Sequence, residues 1–443
     1  MLLKYSVSNF RSIGHNIEFS MFPLENSSDE FLTEINTVAG NLKVLKRGAF
    51  FGPNASGKTS FVNSLEFARD YVVKGPRNST AMKVNQFRGD IDELQGLTRF
   101  EFMLYDGKNV YNYGFSLNRV YVSEEWLSIL NRDCNFRALF ERKTNSRKST
   151  SIKITDDYAK PSTKKRQLAD LLTLSIKGKQ ANQLFLYKLF ENGSDIAEAV
   201  YSWFRNIQII YPDTKMQALP LQLKQDNQLG DFLSKKLQLL DTGVESVSAV
   251  EDNIELFELA EKYNVPAEIV HDIEDIQHGI ISLNGELFIF KEGKKQKTTL
   301  VRIKFEHLLN NKSVDFNIDD ESDGTKRMLD LLPMLFRLGS DSHAIYVVDE
   351  LDRSLHTKLS KYIINSLGSS NSNTQLLFTA HDVNLLNLQN FRQEEIWFIE
   401  KNYNGETRLK PFSDFDINDN QDILKDYLAG RFGAIPVIKE EKL

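Results

Sequence analysis

Eight consecutive residues carry the clearest chemistry in this chain. Gly52-Pro53-Asn54-Ala55-Ser56-Gly57-Lys58-Thr59 satisfies GxxxxGK[ST] at every constrained position, with Ser60 following. Glycines let backbone N–H groups converge on phosphate oxygens, and a helix starting at Lys58 adds a favourable dipole. A lysine in this place bridges β- and γ-phosphates, and the following hydroxyl is a Mg²⁺ ligand. Average composition makes the pattern a chance event in roughly one or two chains per hundred of this length. The bland alternative is a glycine turn with no ligand. The flanking residues, a strand-like VLKRGAFF before and an amphipathic stripe (Phe61, Val62, Leu65, Ala68, Tyr71, Val72) after, favour the phosphate loop.

Three further motifs lie in the C-terminal third. IYVV runs into Asp349-Glu350; an aspartate at the end of an apolar strand suits a Mg²⁺ contact. Its neighbour Glu350, outside the metal shell, suits a general base for an attacking water. An acidic pair after a strand is commonplace by itself. Glu321-Ser322-Asp323-Gly324-Thr325 opens an amphipathic segment, and reads either as an anion-binding turn or as an ordinary helix N-cap. His381 follows the strand-like QLLFT; it is a structural histidine or a γ-phosphate partner.

In order and approximate spacing, these four motifs resemble the Walker A, signature, Walker B and switch histidine of ABC ATPases. The SMC-like branch, whose head carries an inserted domain, is the most similar. The segments LLKYSVSNFRSI, ESDGTKRML, DELDRSLHT, TAHDVNLL and YLAGRFGAIP resemble one bacterial family. It comprises stand-alone AAA/ABC ATPases, includes the abortive-infection AbiL ATPase, and is related to RloC and to OLD-family heads. The motifs cover both chain ends, and YSWFRNIQII and LLDTGVESV in the middle are looser matches.

The resemblance implies an ATPase using ATP and Mg²⁺, with Glu350, His381 and Lys58 as catalytic groups. Gly52 through Ser60 would hold the nucleotide, and Thr59, Asp349 and Gln86 the metal. Two heads would close on two nucleotides as a homodimer or higher even-numbered oligomer. Ser322 and Gly324 would then reach the partner's γ-phosphate, with His381 acting within its own chain. Asp352 would sit at the dimer seam, and Arg11 near the phosphates. Gln86 is chosen over Gln95 without a local pattern to decide it. The signature reads ESDGT rather than LSGGQ, which puts Asp323 where a glycine is usual; its carboxylate must point away from a triphosphate.

These motifs need elements to position them. Alternation at Leu3, Tyr5 and Val7 and the run at Ile17–Phe19 predict paired strands, and residues 99–116 a hairpin around Asp106-Gly107. IYVV, QLLFT and IWFIE predict buried parallel strands. The expected fold class is α/β: a P-loop NTPase head of the ABC type assembled from N- and C-terminal lobes, at 1–125 and 301–443. Between them a largely helical inserted domain is expected at 126–300, with helices over 182–207 and 250–279.

Composition narrows the remaining choices. The 443 residues exceed one ordinary core, and 41% hydrophobic with 26% charged residues describes a globular chain. A net charge of −6 gives no global attraction to nucleic acid or anionic lipid. Local basic clusters (Arg142-Lys143, Arg147-Lys148, Lys164-Lys165-Arg166, Lys294-Lys295 with Lys297) leave nucleic acid open as a partner. His271 and His278 lack the spacing of a tight chelating pair. The single cysteine, Cys134, excludes an intramolecular disulfide, and no membrane span or signal sequence is read, so a cytoplasmic protein with no membrane partner is expected. The leading functional expectation is a sensor or regulator in anti-phage defence, paired with a separately encoded effector, a nuclease being favoured. The alternative is an SMC-like DNA-binding ATPase of repair or chromosome maintenance, and a third is an ABC transporter subunit.

Overall fold

A computed structural model describes residues 1–24, 31–76, 84–89, 96–155, 181–214, 218–255, 279–283, 286–290, 297–339, 343–368, 373–417 and 421–436. Contacts divide the chain into two compact units. The first holds Met1–Tyr211, Ser340–Asp352 and Ser360–Leu443, and the second Pro212–Gly339 with Arg353–Leu359.

In chain order the first unit begins with β1 (Leu2–Ser8), β2 (Ile17–Ser20), β3 (Leu32–Thr37), β4 (Gly40–Leu45), β5 (Arg47–Phe51) and helix α1 (Lys58–Val73). It continues with β6 (Thr98–Tyr105), β7 (Val110–Leu117), β8 (Val122–Leu130), β9 (Phe136–Thr144), β10 (Thr150–Ile154), α2 (Phe185–Glu191), α3 (Asp195–Arg205) and β11 (Ile207–Ile210). The second unit supplies α4 (Leu219–Gln225), α5 (Asn227–Leu239), β12 (Val244–Glu255), β13 (Gly279–Leu283), β14 (Glu286–Phe290), β15 (Lys297–Leu309), β16 (Lys312–Asn317) and α6 (Asp323–Phe336). Then come β17 (Ile345–Val348), α7 (Thr357–Gly368), β18 (Gln375–Ala380), β19 (Ile396–Lys401), β20 (Thr407–Pro411) and α8 (Ile423–Leu428).

Two sheets organise the first unit. An antiparallel seven-stranded sheet runs β10-β9-β8-β7-β6-β1-β2, and a six-stranded sheet runs β11-β17-β18-β5-β19-β20. Within the second, every pairing from β11 to β19 is parallel and β20 closes the edge antiparallel. N-terminal β5 lies between C-terminal β18 and β19, so the head sheet is built from both chain ends, as the α/β expectation required. Its central strands are fully buried apolar runs, such as IYVV and QLLFTA, because both faces are covered.

Aromatic side chains fill the space between the sheets and α1. Phe50 and Phe61 sit 4.6 Å apart, Tyr5 and Phe102 4.7 Å, and Phe19 and Trp397 5.1 Å. Each such buried ring contributes on the order of 1.5–3 kcal/mol. Polar stitches fix the register. The Gln375 amide accepts from the Leu2 N–H at 2.6 Å and donates to the Leu2 and Leu45 carbonyls at 2.9 and 3.0 Å. At the start of β5 the Arg47 guanidinium forms a bidentate pair with Glu395, 2.9 and 2.7 Å, with both side chains wholly buried.

In the second unit β12, β15, β14 and β13 form an antiparallel sheet to which β16 adds beside β15. Leu229, Leu233 and Leu237, four residues apart on α5, are buried, as a helix packed along one stripe requires.

The middle of the chain differs from the expectation of a largely helical insertion. Residues 182–207 do hold α2 and α3, but β8, β9, β10 and β12 through β15 place sheet beside helix. The segment 250–279 opens as the end of β12, and 256–278 lie outside the described residues. Helical spacing there was weak, whereas VESVSAV alternates in the way a strand does. Continuous strands, β8 and β15, run across the boundaries expected at 125 and 300. The run VLKRGAFF is likewise two strands, broken at Lys46.

Of the described basic clusters, Lys143, Arg147 and Lys148 are exposed, while Arg142 is not. Arg142 is buried, 3.4 Å from Glu125 and 2.7 Å from the Ala181 carbonyl. Glu125 in turn accepts the N–H groups of Phe185 and Leu186 at the start of α2, at 2.6 and 2.9 Å. Burial pushes the Glu125 carboxyl up, against the opposing pull of Arg142 and those N–H donors. Lys164, Lys165, Arg166, Lys294, Lys295, His271 and His278 lie outside the described residues. Among the described residues no helix is long and apolar enough to cross a membrane.

Candidate functional site

Strand β5 ends at Phe51 and α1 starts at Lys58, so the glycine-rich segment is the turn between them. Two glycines are sterically required. A Cβ on Gly52 would lie 2.1 Å from the Ile399 carbonyl oxygen. Gly57 has φ +113° and a Cβ there would meet Thr407 Oγ1 at 2.0 Å, so any side chain would be strained twice over. Thr407 braces the loop, donating to either the Ser56 carbonyl (3.0 Å) or Ser12 Oγ (2.8 Å), while Ser12 Oγ donates to Ser60 Oγ (2.9 Å). Pro53 is half-buried, and Asn54 and Ala55 are exposed.

The loop's lysine is buried and folds inward. Lys58 Nζ donates to the carbonyls of Gly52 (2.5 Å) and Pro53 (3.0 Å). Burial lowers its pKa to about 8, against the raising pull of Asp349, Glu350 and Asp352. Those three carboxylates set the electrostatics of this corner.

Asp349 is where the two chain ends meet chemically. Thr59 Oγ1 donates to Asp349 Oδ2 at 2.9 Å, and Thr379 Oγ1 donates to Oδ1 at 2.6 Å. The same Thr379 hydroxyl accepts the Glu350 N–H at 2.8 Å. Glu350 has φ +48°, a left-handed conformation uncommon for a non-glycine residue. Its Oε1 lies 3.8 Å from His381 Nε2. Glu350 and His381 are therefore brought side by side at the ends of adjacent parallel strands.

Asp352 is turned toward its own chain. Its Oδ2 accepts the backbone N–H groups of His381 (2.9 Å) and Asp382 (2.6 Å), clamping the turn that carries the histidine. Arg11 is exposed with φ +50°, and its N–H donates to the Asn85 carbonyl. Gln86 is half-buried and its amide donates to the Gly96 carbonyl.

Ser322 and Gly324 belong to the second unit. Ser322 Oγ accepts the Thr325 N–H at 3.1 Å as the N-cap of α6; the ordinary capping role is thus fulfilled. A Cβ on Gly324 would lie 3.1 Å from the Ser354 carbonyl oxygen.

Thr379, Thr407 and Ser12 escaped the sequence reading. Thr379 had a signal, a hydroxyl closing the apolar run QLLF one register step from Asp349. Ser12 and Thr407 had none, being almost four hundred residues apart in sequence.

An oxygen-only pair beside a buried ammonium, with a carboxylate and an imidazole at neighbouring strand ends, can bind phosphates and a hard divalent cation and activate water. A family described as "AAA domain, putative AbiEii toxin, Type IV TA system" matches residues 49–387. No curated protein matches the sequence. Among solved structures, the SMC head domain from Thermotoga maritima is 12% identical with a TM-score of 0.36, over 94% of this chain and 99% of that one. An SmcHead bound to the C-winged helix domain of ScpA is 11% identical with a TM-score of 0.39, over 92% and 97%. Both likenesses are loose.

Proposed function

Because the chain belongs to that AAA-domain family, its match spanning most of the sequence, we propose that it is an ATPase of the ABC type whose sites are completed by a second copy. The single observation that carries the reading is the 2.9 Å contact of Thr59 with Asp349, next to buried Lys58. It joins the phosphate loop to the acidic strand end.

The Thr59 hydroxyl and the Asp349 carboxylate fit Mg²⁺, since both are hard oxygen donors. When bound, the cation offsets charge on the β- and γ-phosphate oxygens. Lys58 releases the Gly52 and Pro53 carbonyls and donates to the phosphates. The N–H groups of the loop and of the first turn of α1 bind the remaining oxygens. Glu350 accepts a proton from the attacking water, whose oxygen bonds to the γ-phosphorus as the bond to ADP breaks. His381, held by Asp352, donates to the γ-phosphate from the same chain. Ser322 and Gly324 of a second copy cover the outer side of that phosphate.

The proposal extends to biology. A regulator of anti-phage defence with a separately encoded effector is supported by the resemblance of both chain ends to defence ATPases and by the family's own description, which names a Type IV TA system. The buried Arg142 takes one basic side chain away from the alternative of a DNA-binding head.

Glu350→Gln tests the chemistry. Hydrolysis should fall by at least about 100-fold, while ATP binding is kept and light scattering shows a stable dimer with ATP and Mg²⁺. Wild-type turnover by Glu350→Gln would remove Glu350 as the base.

A further inference from the structure

The turn that carries Ser322 and Gly324 is fastened by a side-chain pair that neither capping nor phosphate binding requires. Glu321, the residue before Ser322, keeps only 4% of its side chain exposed, and its Oε1 lies 2.6 Å from His307 Nε2. A carboxylate taken out of water needs a partner. His307 is that partner, and its own side chain is 14% exposed. The imidazole has little freedom to swing. His307 pairs with Val244 of β12 on one side and with Val314 of β16 on the other. The Phe316 ring lies 4.4 Å from it, and Gly243 lies in ordinary contact, where a Cβ would be 3.7 Å from Nδ1.

The pair spans fourteen residues of chain. From His307 the chain runs through the β15–β16 hairpin and a 3-10 turn at Ile318–Asp320, and returns at Glu321. The turn is also held by the Asn317 capping box, by the Glu321 N–H on the Ile318 carbonyl (3.3 Å), by Lys326 Nζ on the Asp319 carbonyl (3.2 Å) and by the Ser322 cap, all of them within the segment itself. With the His307 bond, the backbone at Glu321 is anchored sideways to the sheet.

We propose that His307 is a positioning residue for the Ser322–Gly324 turn, presenting it at the angle needed to cover a nucleotide held by another copy of the chain. This rests on the composite-site reading above and deepens it. His307 touches no nucleotide. Its Nε2–H holds the Glu321 carboxylate, Glu321 holds the turn, and the turn meets the phosphate.

The test compares full-length His307→Phe, His307→Gln and Gly324→Asp in ATP turnover, binding of a fluorescent ATP analogue and thermal unfolding. Phenylalanine keeps a ring against Phe316 but cannot donate to Glu321, and glutamine restores an N–H donor. His307→Phe should lower kcat about tenfold, with analogue affinity held within about twofold, and His307→Gln should recover kcat to within about threefold of wild type. Wild-type kcat in His307→Phe, or equal losses in the Phe and Gln variants, overturns the proposal. Should His307→Phe fail to fold, the double variant His307→Phe with Glu321→Leu replaces the pair by apolar packing. Low kcat in that folded double variant supports the positioning role, and wild-type kcat overturns it. Gly324→Asp separates the two levels. If it turns over at the wild-type rate, the composite-site reading itself fails. If it is inactive while His307→Phe is fully active, the fault lies with the His307 role alone.

Discussion

The phosphate-loop corner and the Ser322–Gly324 turn are both places where a helix begins beside small residues, yet they are built in opposite ways. At the loop, contacts come from far along the chain: Asp349 reaches Thr59, Thr407 reaches Ser56, and Ile399 closes on Gly52. Three carboxylates act on Lys58, and an imidazole stands beside one of them, Glu350. At the turn, contacts are local: Ser322 caps Thr325, and Glu321 meets His307 across one hairpin. The carboxylate and imidazole beside it, Glu321 and His307, are engaged with each other. The first region has the groups to carry out a reaction, and the second is shaped to be presented to one. On the proposed reading, a chain with one of each is complete only when paired.

The comparison is most sharply broken at Lys58. Lys58→Met should cost about a thousandfold in turnover while leaving the thermal midpoint unchanged or raised, because a buried ammonium is removed. A large drop in midpoint would make Lys58 a structural residue, and the loop no different in kind from the turn.

Protonation gives the next effect. With burial holding the free Lys58 pKa at about 8, and phosphate favouring its charged form, nucleotide affinity is retained below pH 8 and lost above it. Between pH 7 and pH 9 the Kd should rise about tenfold, as titration calorimetry with Mg²⁺–ATP would read. A Kd independent of pH over that range would mean that Lys58 titrates elsewhere.

The smallest effect belongs to the turn. Ser322→Ala removes the N-cap acceptor and should lower stability by about 1 kcal/mol, measured by urea unfolding, with the Kd for ATP unchanged. A weakened Kd at concentrations where the chain stays monomeric would show that Ser322 serves its own chain's nucleotide, and the contrast between the two regions would dissolve.

The sequence made the first region legible because its motifs are constrained in type and spacing. GPNASGKT, VVDE and TAHD each sit at a strand end in a parallel sheet, and the strands that carry them are RGAFF, IYVV and QLLFTA. What it could not convey was side-chain direction over long separations. Asp352, placed by resemblance at a dimer seam, also clamps the His381 turn of its own chain, and Arg142, one of the basic residues that left nucleic acid open, pairs inside with Glu125. Ser12 and Thr407 carry no local pattern at all; tertiary packing alone makes them neighbours. In the middle, 182–207 holds the expected helices, while the short alternating run VESVSAV opens β12 amid acidic and polar residues that mask its strand pattern.

The central claim is that one chain's phosphate loop works with another chain's Ser322–Gly324 turn. It is tested most directly by mixing two inactive full-length proteins, Lys58→Met and Gly324→Asp, and measuring ATP turnover. If sites are shared, half of the randomly formed dimers are mixed and each has one intact site of two, so turnover should recover to about a quarter of wild type. A mixture as inactive as its two components, with mixed dimers demonstrated by differential tagging, would contradict the account.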